Sequence, residues 1–378
     1  MVSTVAAMSD LFGGAFRGRR VFLTGHTGFK GAWLALWLTE MGAQVTGFAL
    51  VPPTTPSLFE LAGVESRLAR HVIGDVRDRD ALAGTIADAR PDIAIHLAAQ
   101  PLVRLSYEQP VETFETNVMG VVHFFEAVRA TDSVRVAINV TSDKCYENRE
   151  SEHAYREGDA MGGFDPYSAS KGCSELVTAA YRRSFLGADS AVRVASVRAG
   201  NVIGGGDWAA DRIVPDCIRA LTAGEPIVVR NPEAVRPWQH VLEPLSGYLL
   251  LAQKLWQHEG PAFAEGWNFG PLAAGGVPVR ELVDGLVRAW GSGSWETPEL
   301  APQSHEASLL RLDCAKAQER LGWLPQWDVA TTLDRTAKWY AAWHADSGSV
   351  AAASIDDLNT YVDAARAAGS VWARKEDV

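Results

Sequence analysis

The chain has 378 residues, 47% of them hydrophobic and 21% charged, which is typical of a globular protein long enough for two domains. Its formal net charge of −11 argues against nucleic acid or an anionic membrane as a partner, but not against a small anion held by local arginines. The four cysteines, Cys145, Cys173, Cys217 and Cys314, lack CxxC spacing, which predicts reduced thiols in a cytoplasmic protein rather than disulfides or a zinc site.

Strand and helix patterns alternate along the first half of the chain. We expect the first fifteen residues to form a loose leader, and no apolar run is long enough to span a bilayer. RRVFLTG (19–25) reads as a strand that ends in glycine, and GAWLALWLTEMG (31–42) has apolar residues at helical spacing. Five further strands are predicted in AQVTGFAL, RHVIGDV, PDIAIHLA, VRVAINVTS and SAVRVASVRAGNV, and helices over 78–89, 110–130 and 166–186. The alternation predicts an α/β fold with a doubly wound parallel sheet, because parallel strands need crossover helices.

The pattern changes near residue 200, where the sequence becomes polar and rich in glycine. We predict a cofactor-binding domain over 16–198, with a returning segment near 238–270. A smaller mixed α/β lobe that binds the substrate is expected over 199–237 and 271–345. The Ala-rich residues 346–378 are expected to form a peripheral tail.

A glycine-rich turn, TGHTGFKG (24–31), joins the first strand to the first helix. Glycines in such a turn let the backbone approach a pyrophosphate at the helix N-terminus, although a plain turn is the alternative. We predict cofactor contacts from five residues of the turn: Gly25, Gly28, Phe29, Lys30 and Gly31.

The features that usually bind the adenosine half of a dinucleotide are incomplete. The second strand ends in GFALVPP, which has neither an acid for the ribose hydroxyls nor an arginine for the extra phosphate of NADP. Lys30 could favour that phosphate from within the glycine turn. Asp75 is a candidate partner for the adenine amino group, or else a helix-capping residue. Further contacts are expected from Val76 and from the LAAQ stretch, where simple packing is the alternative: Leu97, Ala98 and Ala99.

Two short stretches carry groups that can move protons. Ser142, Asp143 and Lys144 follow the buried strand VRVAINV, at the edge of the sheet where ligands bind. Tyr167 and Lys171 in YSASK lie four residues apart, on one face of a helix. A cation beside a phenol lowers its pKa and makes it a usable base. The alternatives are an exposed Tyr–Lys pair and a solvated Asp–Lys pair in a loop.

These motifs resemble the extended short-chain dehydrogenase/reductases. Longer blocks, such as GHTGFKGAWLALWLTEMGA, NVTSDKCYENRE and SVRAGNVIGGGDWAADRIVPD, resemble the sugar-nucleotide 4,6-dehydratases among them, over roughly residues 16–345. The resemblance implies a Rossmann-like fold, NAD as cofactor, CDP-glucose as substrate and a homo-oligomer, either dimer or tetramer. It also implies the reaction: oxidation at carbon 4, elimination of water across carbons 5 and 6, and return of the hydride to carbon 6.

Elimination needs an acid for the departing hydroxyl and a base for the carbon 5 proton. The resemblance assigns these roles to Asp143 and Lys144, although related dehydratases commonly carry glutamate after the acid. A nucleotide-sugar 4-epimerase remains an alternative, as does a non-catalytic NAD(P)-sensing regulator. An epimerase needs no such acid–base pair, and a regulator would not need Ser142, Tyr167 and Lys171 together.

The substrate's pyrophosphate requires cations from the smaller lobe. Guanidinium groups bind phosphate well, and the candidates are Asn201, Arg212, Arg230 and Arg236, although any single arginine is more often a surface residue. Arg104 and Arg311 receive no assignment. The nine histidines are scattered without ligand spacing, so we predict no metal site.

Overall fold

A computed structural model describes residues 8–187, 189–271, 276–298 and 309–374. Its strands are β1 (Arg20–Thr24), β2 (Gln44–Ala49), β3 (Arg70–Ile73), β4 (Ile93–His96), β5 (Val136–Val140), β6 (Ala154–Tyr155), β7 (Arg193–Arg198), β8 (Val202–Ile203), β9 (Ile227–Val228), β10 (Val235–Arg236), β11 (Gln239–His240), β12 (Gly266–Asn268), β13 (Val277–Pro278), β14 (Trp295–Glu296) and β15 (Arg311–Leu312). Its α-helices are α1 (Phe29–Glu40), α2 (Leu58–Leu61), α3 (Arg79–Ala89), α4 (Val103–Glu108), α5 (Pro110–Phe114), α6 (Gly120–Arg129), α7 (Pro166–Ser184), α8 (Ile213–Ala223), α9 (Leu242–Trp256), α10 (Val279–Trp290), α11 (Val329–Ala345) and α12 (Val350–Ala367).

A seven-stranded parallel sheet in the order β12-β7-β5-β4-β1-β2-β3 forms the centre of the molecule. Side chains alternate across it, so Val21 and Leu23 of β1 face one apolar core and Phe22 faces the other. Helices α1 and α9 supply the first core, while α3 and α6 cover the opposite face. The predicted doubly wound α/β fold is confirmed.

Short paired strands and helices build the part of the chain that follows β7. Three two-stranded pairs lie within it, β8 with β11, β9 with β14, and β10 with β13, while β15 pairs with β6, which precedes β7. The chain returns to the central sheet through α9 and through β12, which pairs with β7. The division into cofactor domain and substrate lobe stays a prediction.

Residues 8–15 of the expected leader and residues 346–374 of the expected tail pack into the fold, while residues 1–7 and 375–378 lie outside the described residues. In the expected leader, Leu11 and Phe12 are buried, and Phe12 stacks on Trp372 with ring centroids 5.0 Å apart. The tail forms α12, whose Tyr361 is buried against Trp37 of α1. A few large side chains among many alanines give both ends a place in the core.

The single helix predicted over 110–130 is divided. It comprises α5, a π-helical turn over Glu115–Met119, and α6. Helix α7 ends at Ser184, two residues earlier than predicted from the sequence. Within the described residues, no helix is both long enough and apolar enough to cross a membrane.

Candidate active site

The glycine turn between β1 and α1 is held against the end of β4. A Cβ atom on Gly31 would lie 2.1 Å from the Gly25 carbonyl oxygen, and Gly25 has a left-handed φ of +73°. The Thr24 hydroxyl accepts hydrogen bonds from the backbone N–H groups of Leu97 and Ala98, at 3.0 and 3.1 Å. The predicted turn and the LAAQ stretch therefore lie side by side, and only glycine fits where the chain folds back.

The adenosine side of this cleft presents apolar side chains and one carboxylate. Leu50 and Val51 are exposed directly after β2, and Ile73 is exposed at the end of β3, a platform suited to a purine base. Asp75 accepts hydrogen bonds from Arg77, and these hold the pKa of Asp75 below its usual value. These residues fit the adenosine half of a dinucleotide.

The three polar residues after β5 form one connected group. Asp143–Cys145 form a 3-10 turn, so Asp143 and Lys144 no longer alternate across a strand. The Ser142 hydroxyl donates to Asp143 Oδ1 at 2.9 Å, and Lys144 Nζ lies 3.4 Å from the same oxygen. A Cβ atom on Gly200 would lie 1.8 Å from Asp143 Oδ2, so glycine at that position leaves room for the carboxylate.

Helix α7 brings Tyr167 and Lys171 to the same place. Asp165 caps the helix by accepting a hydrogen bond from the Ser168 N–H at 2.9 Å. Tyr167 and Lys171 are both buried in its first two turns, and Lys171 Nζ donates to the Val140 carbonyl at 3.5 Å. The pair predicted from YSASK therefore lies against the carboxyl end of β5.

The charge of Lys144, on the turn after β5, also acts on the Tyr167 phenol. Burial raises the pKa of the Tyr167 phenol, while the charge of Lys144 and a hydrogen bond with Ser142 oppose that rise. Burial lowers the pKa of Lys171 to about 8. The turn after β5 thus adds a second lysine to the pair on α7.

Lys30 reaches the same centre from the glycine turn. Its Nζ atom lies 3.4 Å from the hydroxyl of Tyr248, a buried residue of α9. Burial and the positive charges of Lys171 and Arg212 lower the pKa of Lys30 to about 7. The ammonium group therefore faces the reaction centre rather than the end of β2, where the extra phosphate of NADP would require a cation.

The predicted substrate residues are in several environments. Arg212 forms a 2.8 Å ion pair with Asp207 and lies within electrostatic range of Tyr167. Asn201 has a left-handed φ of 43°, and its buried Oδ1 atom has no hydrogen-bond partner within the described chain. Arg236 is buried on β10, whereas Arg230 is partly exposed and pairs with an aspartate.

A buried ion pair joins β7 to α7, the helix that carries Tyr167 and Lys171. Arg198 of β7 donates to Glu175 of α7 through Nε at 2.9 Å and Nη2 at 2.8 Å. Glu175 also accepts hydrogen bonds from Thr141 and Ser196. The strand that ends at the site and the helix carrying Tyr167 are therefore joined by a fully paired polar cluster.

Sequence reasoning missed one residue near the site, Tyr248, and left Arg311 without an assignment. Tyr248 lies on α9, and only the fold brings its hydroxyl to Lys30. Arg311 of β15 has a buried Nε–H with no hydrogen-bond partner in the described part of the chain. No sequence signal separates either residue from ordinary core or surface positions. Among the described residues, no group of three or more His, Cys, Asp or Glu side chains could hold a metal ion.

Comparison with known proteins places this site in a well-populated family. Residues 21–263 match the model of the NAD dependent epimerase/dehydratase family. Over 332 residues, the chain is 53% identical to the CDP-glucose 4,6-dehydratase of Salmonella typhimurium, covering 87% of this chain and 92% of that protein. It is 30% identical to the dTDP-glucose 4,6-dehydratase of Streptomyces antibioticus, covering 71% of this chain and 75% of that protein.

Solved structures show the same architecture. A dTDP-glucose 4,6-dehydratase from Streptomyces venezuelae, with NAD and TYD bound, superposes with a TM-score of 0.73 at 26% identity, covering 85% of this chain and 97% of that one. A UDP-glucose 4-epimerase from Thermotoga maritima superposes with a TM-score of 0.71 at 21% identity, covering 85% of this chain and 98% of that one. The epimerase supports the shared fold alone.

Proposed function

Since this chain belongs to the NAD-dependent epimerase/dehydratase family, we propose that it is an NAD-dependent hydro-lyase that converts CDP-D-glucose to CDP-4-dehydro-6-deoxy-D-glucose. The observation that carries the choice is Asp143 and Lys144 on one turn at the end of β5, facing Tyr167. A 4-epimerase needs only the oxidation part of this machinery. The relative with 53% identity is named for the CDP-glucose reaction.

The glycine turn and the strand ends beside it fit NAD. Gly25, Gly28 and Gly31 would bring the α1 N-terminus to its pyrophosphate, with Phe29 and Lys30 beside the nicotinamide half. Asp75 and Val76 would hold the adenine, and Leu97, Ala98 and Ala99 would line the floor of the cleft. When bound, NAD supplies the hydride acceptor for oxidation at carbon 4 and the hydride donor for carbon 6.

Tyr167 is the proposed base for the carbon 4 hydroxyl. Its phenol must lose a proton near neutral pH, although burial alone opposes this. Lys144, Lys171 and the Ser142 hydroxyl favour the phenolate by charge and hydrogen bonding. Ser142 also orients the same substrate hydroxyl.

Asp143 and Lys144 divide the elimination between them. The ketone at carbon 4 acidifies the carbon 5 proton, so a lysine amine is a strong enough base to remove it. Asp143 is fully buried, with Gly200 leaving room for its carboxyl group, and is the proposed proton donor to the departing hydroxyl. The proton that Lys144 takes from carbon 5 returns to carbon 5 when the hydride is delivered to carbon 6, and the proton that Tyr167 takes from the carbon 4 hydroxyl balances the one that Asp143 gives to the departing hydroxyl.

The nucleotide portion is assigned to the segment after β7. Arg212, Arg230 and Arg236 would supply guanidinium groups for the pyrophosphate, and Asn201 Oδ1, which has no hydrogen-bond partner among the described residues, would accept a hydrogen bond from the substrate. The orphaned Arg311 Nε–H is a further candidate. We assign the protein to the cytoplasm, where its unpaired thiols would remain reduced.

We also propose that two copies of the chain pair through α5 and α7. Helices α5 and α7 and the segments next to α5 expose several apolar side chains: Tyr107 of α4, Val111 and Phe114 of α5, Met119 of the π-helical turn, and Leu176 of α7. Exposed apolar residues in such a patch are typical of a protein interface. A second copy would cover them with the same helices and form a four-helix contact.

A substrate panel tests the proposed activity. Purified protein is incubated with NAD and CDP-, UDP-, dTDP- or GDP-glucose, and the product is detected as an ultraviolet-absorbing 4-keto sugar in alkali. CDP-glucose should give the 4-keto product without net reduction of NAD. Formation of CDP-galactose would instead identify an epimerase, and the absence of any product would overturn the enzymatic assignment.

A further inference from the structure

Three charged side chains from separate segments form one cluster that includes the residue before Arg212. Arg104 lies on α4, Asp211 precedes α8, and Arg230 follows β9. Asp211 Oδ1 accepts a hydrogen bond from Arg104 Nη1 at 3.1 Å and another from Arg230 Nη1 at 2.9 Å. A single carboxylate oxygen therefore joins two guanidinium groups, one from the helices above the sheet and one from the region that follows β7.

The position of this cluster points to the substrate cleft. Asp211 is followed by Arg212, which lies within electrostatic range of both Tyr167 and Lys30. Arg104 lies shortly after the loop from β4, whose start is bonded to Thr24 beside the glycine turn. The cluster thus lies where the carboxyl edge of the sheet meets the segment that would cover the nucleotide.

The charges of the cluster favour an anion stronger than a carboxylate. Two guanidinium groups on one aspartate leave a net positive charge, and guanidinium groups bind phosphate oxygens in pairs. The side chains of Arg104, Asp211 and Arg230 are 37%, 45% and 33% exposed, so water reaches all three. Ion pairs this exposed are weak and can be exchanged at low cost.

We propose that Arg104 and Arg230 bind the phosphates of a nucleoside diphosphate substrate. Without substrate the Asp211 carboxylate occupies this position, and the two arginines leave it when the phosphates bind. The inference rests on the proposed function only for the identity of that substrate. It gives Asp211 a role opposite to that of a binding residue, since its carboxylate competes with the ligand. Arg104, which the sequence left unassigned, becomes part of the substrate site.

Titration of CDP into the wild type and into Asp211→Asn measures this competition directly. Asp211→Asn should bind CDP about two- to fivefold more tightly, the range expected for removing a weak, exposed ion pair. Arg104→Gln and Arg230→Gln should each bind CDP about tenfold more weakly, because each loses a charged phosphate contact. In the double variant Asp211→Asn/Arg104→Gln, most of the gain in CDP affinity should disappear. Cytidine, which has no phosphate, should bind equally to the wild type and Asp211→Asn.

Asp216→Asn is the matched control. It removes one nearby negative charge that pairs with Arg219 and interacts with Arg230 only at longer range. Weaker CDP binding by Asp211→Asn would show that the carboxylate positions the arginines in the bound state, and would overturn the exchange. If Asp216→Asn bound CDP more tightly by the same factor, the change in affinity would come from overall charge alone, and this would also overturn the proposed exchange. If the wild type bound none of CDP, UDP, dTDP or GDP, the proposed function and this inference would both fail.

Discussion

Lys144 faces two groups whose charge states the reaction depends on. Its ammonium lies 3.4 Å from Asp143 Oδ1, and its charge opposes the rise that burial causes in the pKa of Tyr167. As the ammonium, this side chain favours the phenolate in the first step. It would take the carbon 5 proton in the second step as the free amine, after releasing its own proton to the solvent that reaches it. A glutamate in the same position would oppose the phenolate instead. A lysine therefore changes the electrostatics of both steps.

Replacing Lys144 by methionine should separate its role from that of Asp143. In deuterated water, Lys144→Met should make no 4-keto product and place no deuterium at carbon 5 of the recovered sugar. Asp143→Asn should form product about 10²–10⁴-fold more slowly. It should still exchange the carbon 5 hydrogen with solvent, because Lys144 remains. Mass spectrometry of recovered CDP-glucose measures both. If Lys144→Met incorporated deuterium at carbon 5 as fast as the wild type, another residue would have to be the base.

Lys30 should have no influence on the choice between NAD and NADP. Its ammonium points toward Tyr248, away from the end of β2. Lys30→Met should therefore leave the ratio of kcat/KM for the two cofactors unchanged, even if both values change. Leu50→Arg is the positive control, because Leu50 is exposed directly after β2 and a guanidinium there can pair with a 2′-phosphate. A shift toward NAD in Lys30→Met would contradict this placement.

The sequence identified most of the residues that meet at the centre but not their pairing. Motif spacing placed Tyr167 and Lys171 on one helix face, and the end of an apolar strand placed Ser142 and Asp143 at the sheet edge. Which lysine faces the phenol depends on the 3-10 turn over Asp143–Cys145, and local sequence does not fix the path of such a turn. The Asp211 cluster joins residues more than a hundred positions apart, so spacing carries no signal of it.

At the scale of elements, α12 shows how a segment that looks peripheral becomes part of the core. Its sequence is Ala-rich, yet Tyr361 donates a hydrogen bond to Glu243 of α9 at 2.7 Å. The backbone N–H groups of Gln326 and Trp327 donate to the same carboxylate. Burial raises the pKa of Glu243 to about 7, even though these hydrogen bonds oppose the rise. The helix therefore satisfies a buried acid on α9.

Removing the Tyr361 hydroxyl should destabilise the protein in a pH-dependent way. Because the pKa of Glu243 is raised, its neutral form stabilises the fold at low pH, and this contribution is lost as pH rises through about 7. The Tyr361 hydroxyl favours the ionised form, so Tyr361→Phe should cost more at pH 8, about 1.5–3 kcal/mol, than at pH 6. Chemical denaturation at the two pH values measures the difference.

Tyr340→Phe provides the comparison for this pH effect. Tyr340 is also buried, on the adjacent helix α11, but its hydroxyl donates to the backbone carbonyl of Asp207. Its loss should therefore cost the same free energy of unfolding at pH 6 and pH 8. Parallel pH dependence in the two variants would mean that Glu243 is not the titrating group.

At the scale of the whole molecule, the two ends of the chain close onto each other. Phe12 stacks on Trp372, and both pack against Trp37 of α1, so the sheet, the leader and the tail share one core. The doubly wound parallel sheet was predictable from alternating strands and helices, since parallel strands need crossover helices. The packing of the ends was not, because it depends on a few aromatic residues whose partners lie far away in sequence.

The apolar face of α5 and α7 gives the last prediction, which concerns assembly. Val111 and Leu176 are 70% and 60% exposed in the single chain, although neighbouring positions on the same helices are buried. With a net charge of −11, two copies repel each other at long range, so pairing must come from burial of this face. Val111→Glu/Leu176→Glu should place like charges across the interface and convert a dimer into a monomer.

Sedimentation velocity measures the mass of this variant. Val228→Glu is the matched control, because Val228 is 50% exposed on β9, away from both helices. It adds the same kind of charge at an exposed apolar site, and should leave the dimer intact. The monomeric variant should keep its circular dichroism spectrum, since both positions are exposed in the fold. A dimer that survives Val111→Glu/Leu176→Glu, or a wild type that sediments as a monomer, would rule out α5 and α7 as the interface.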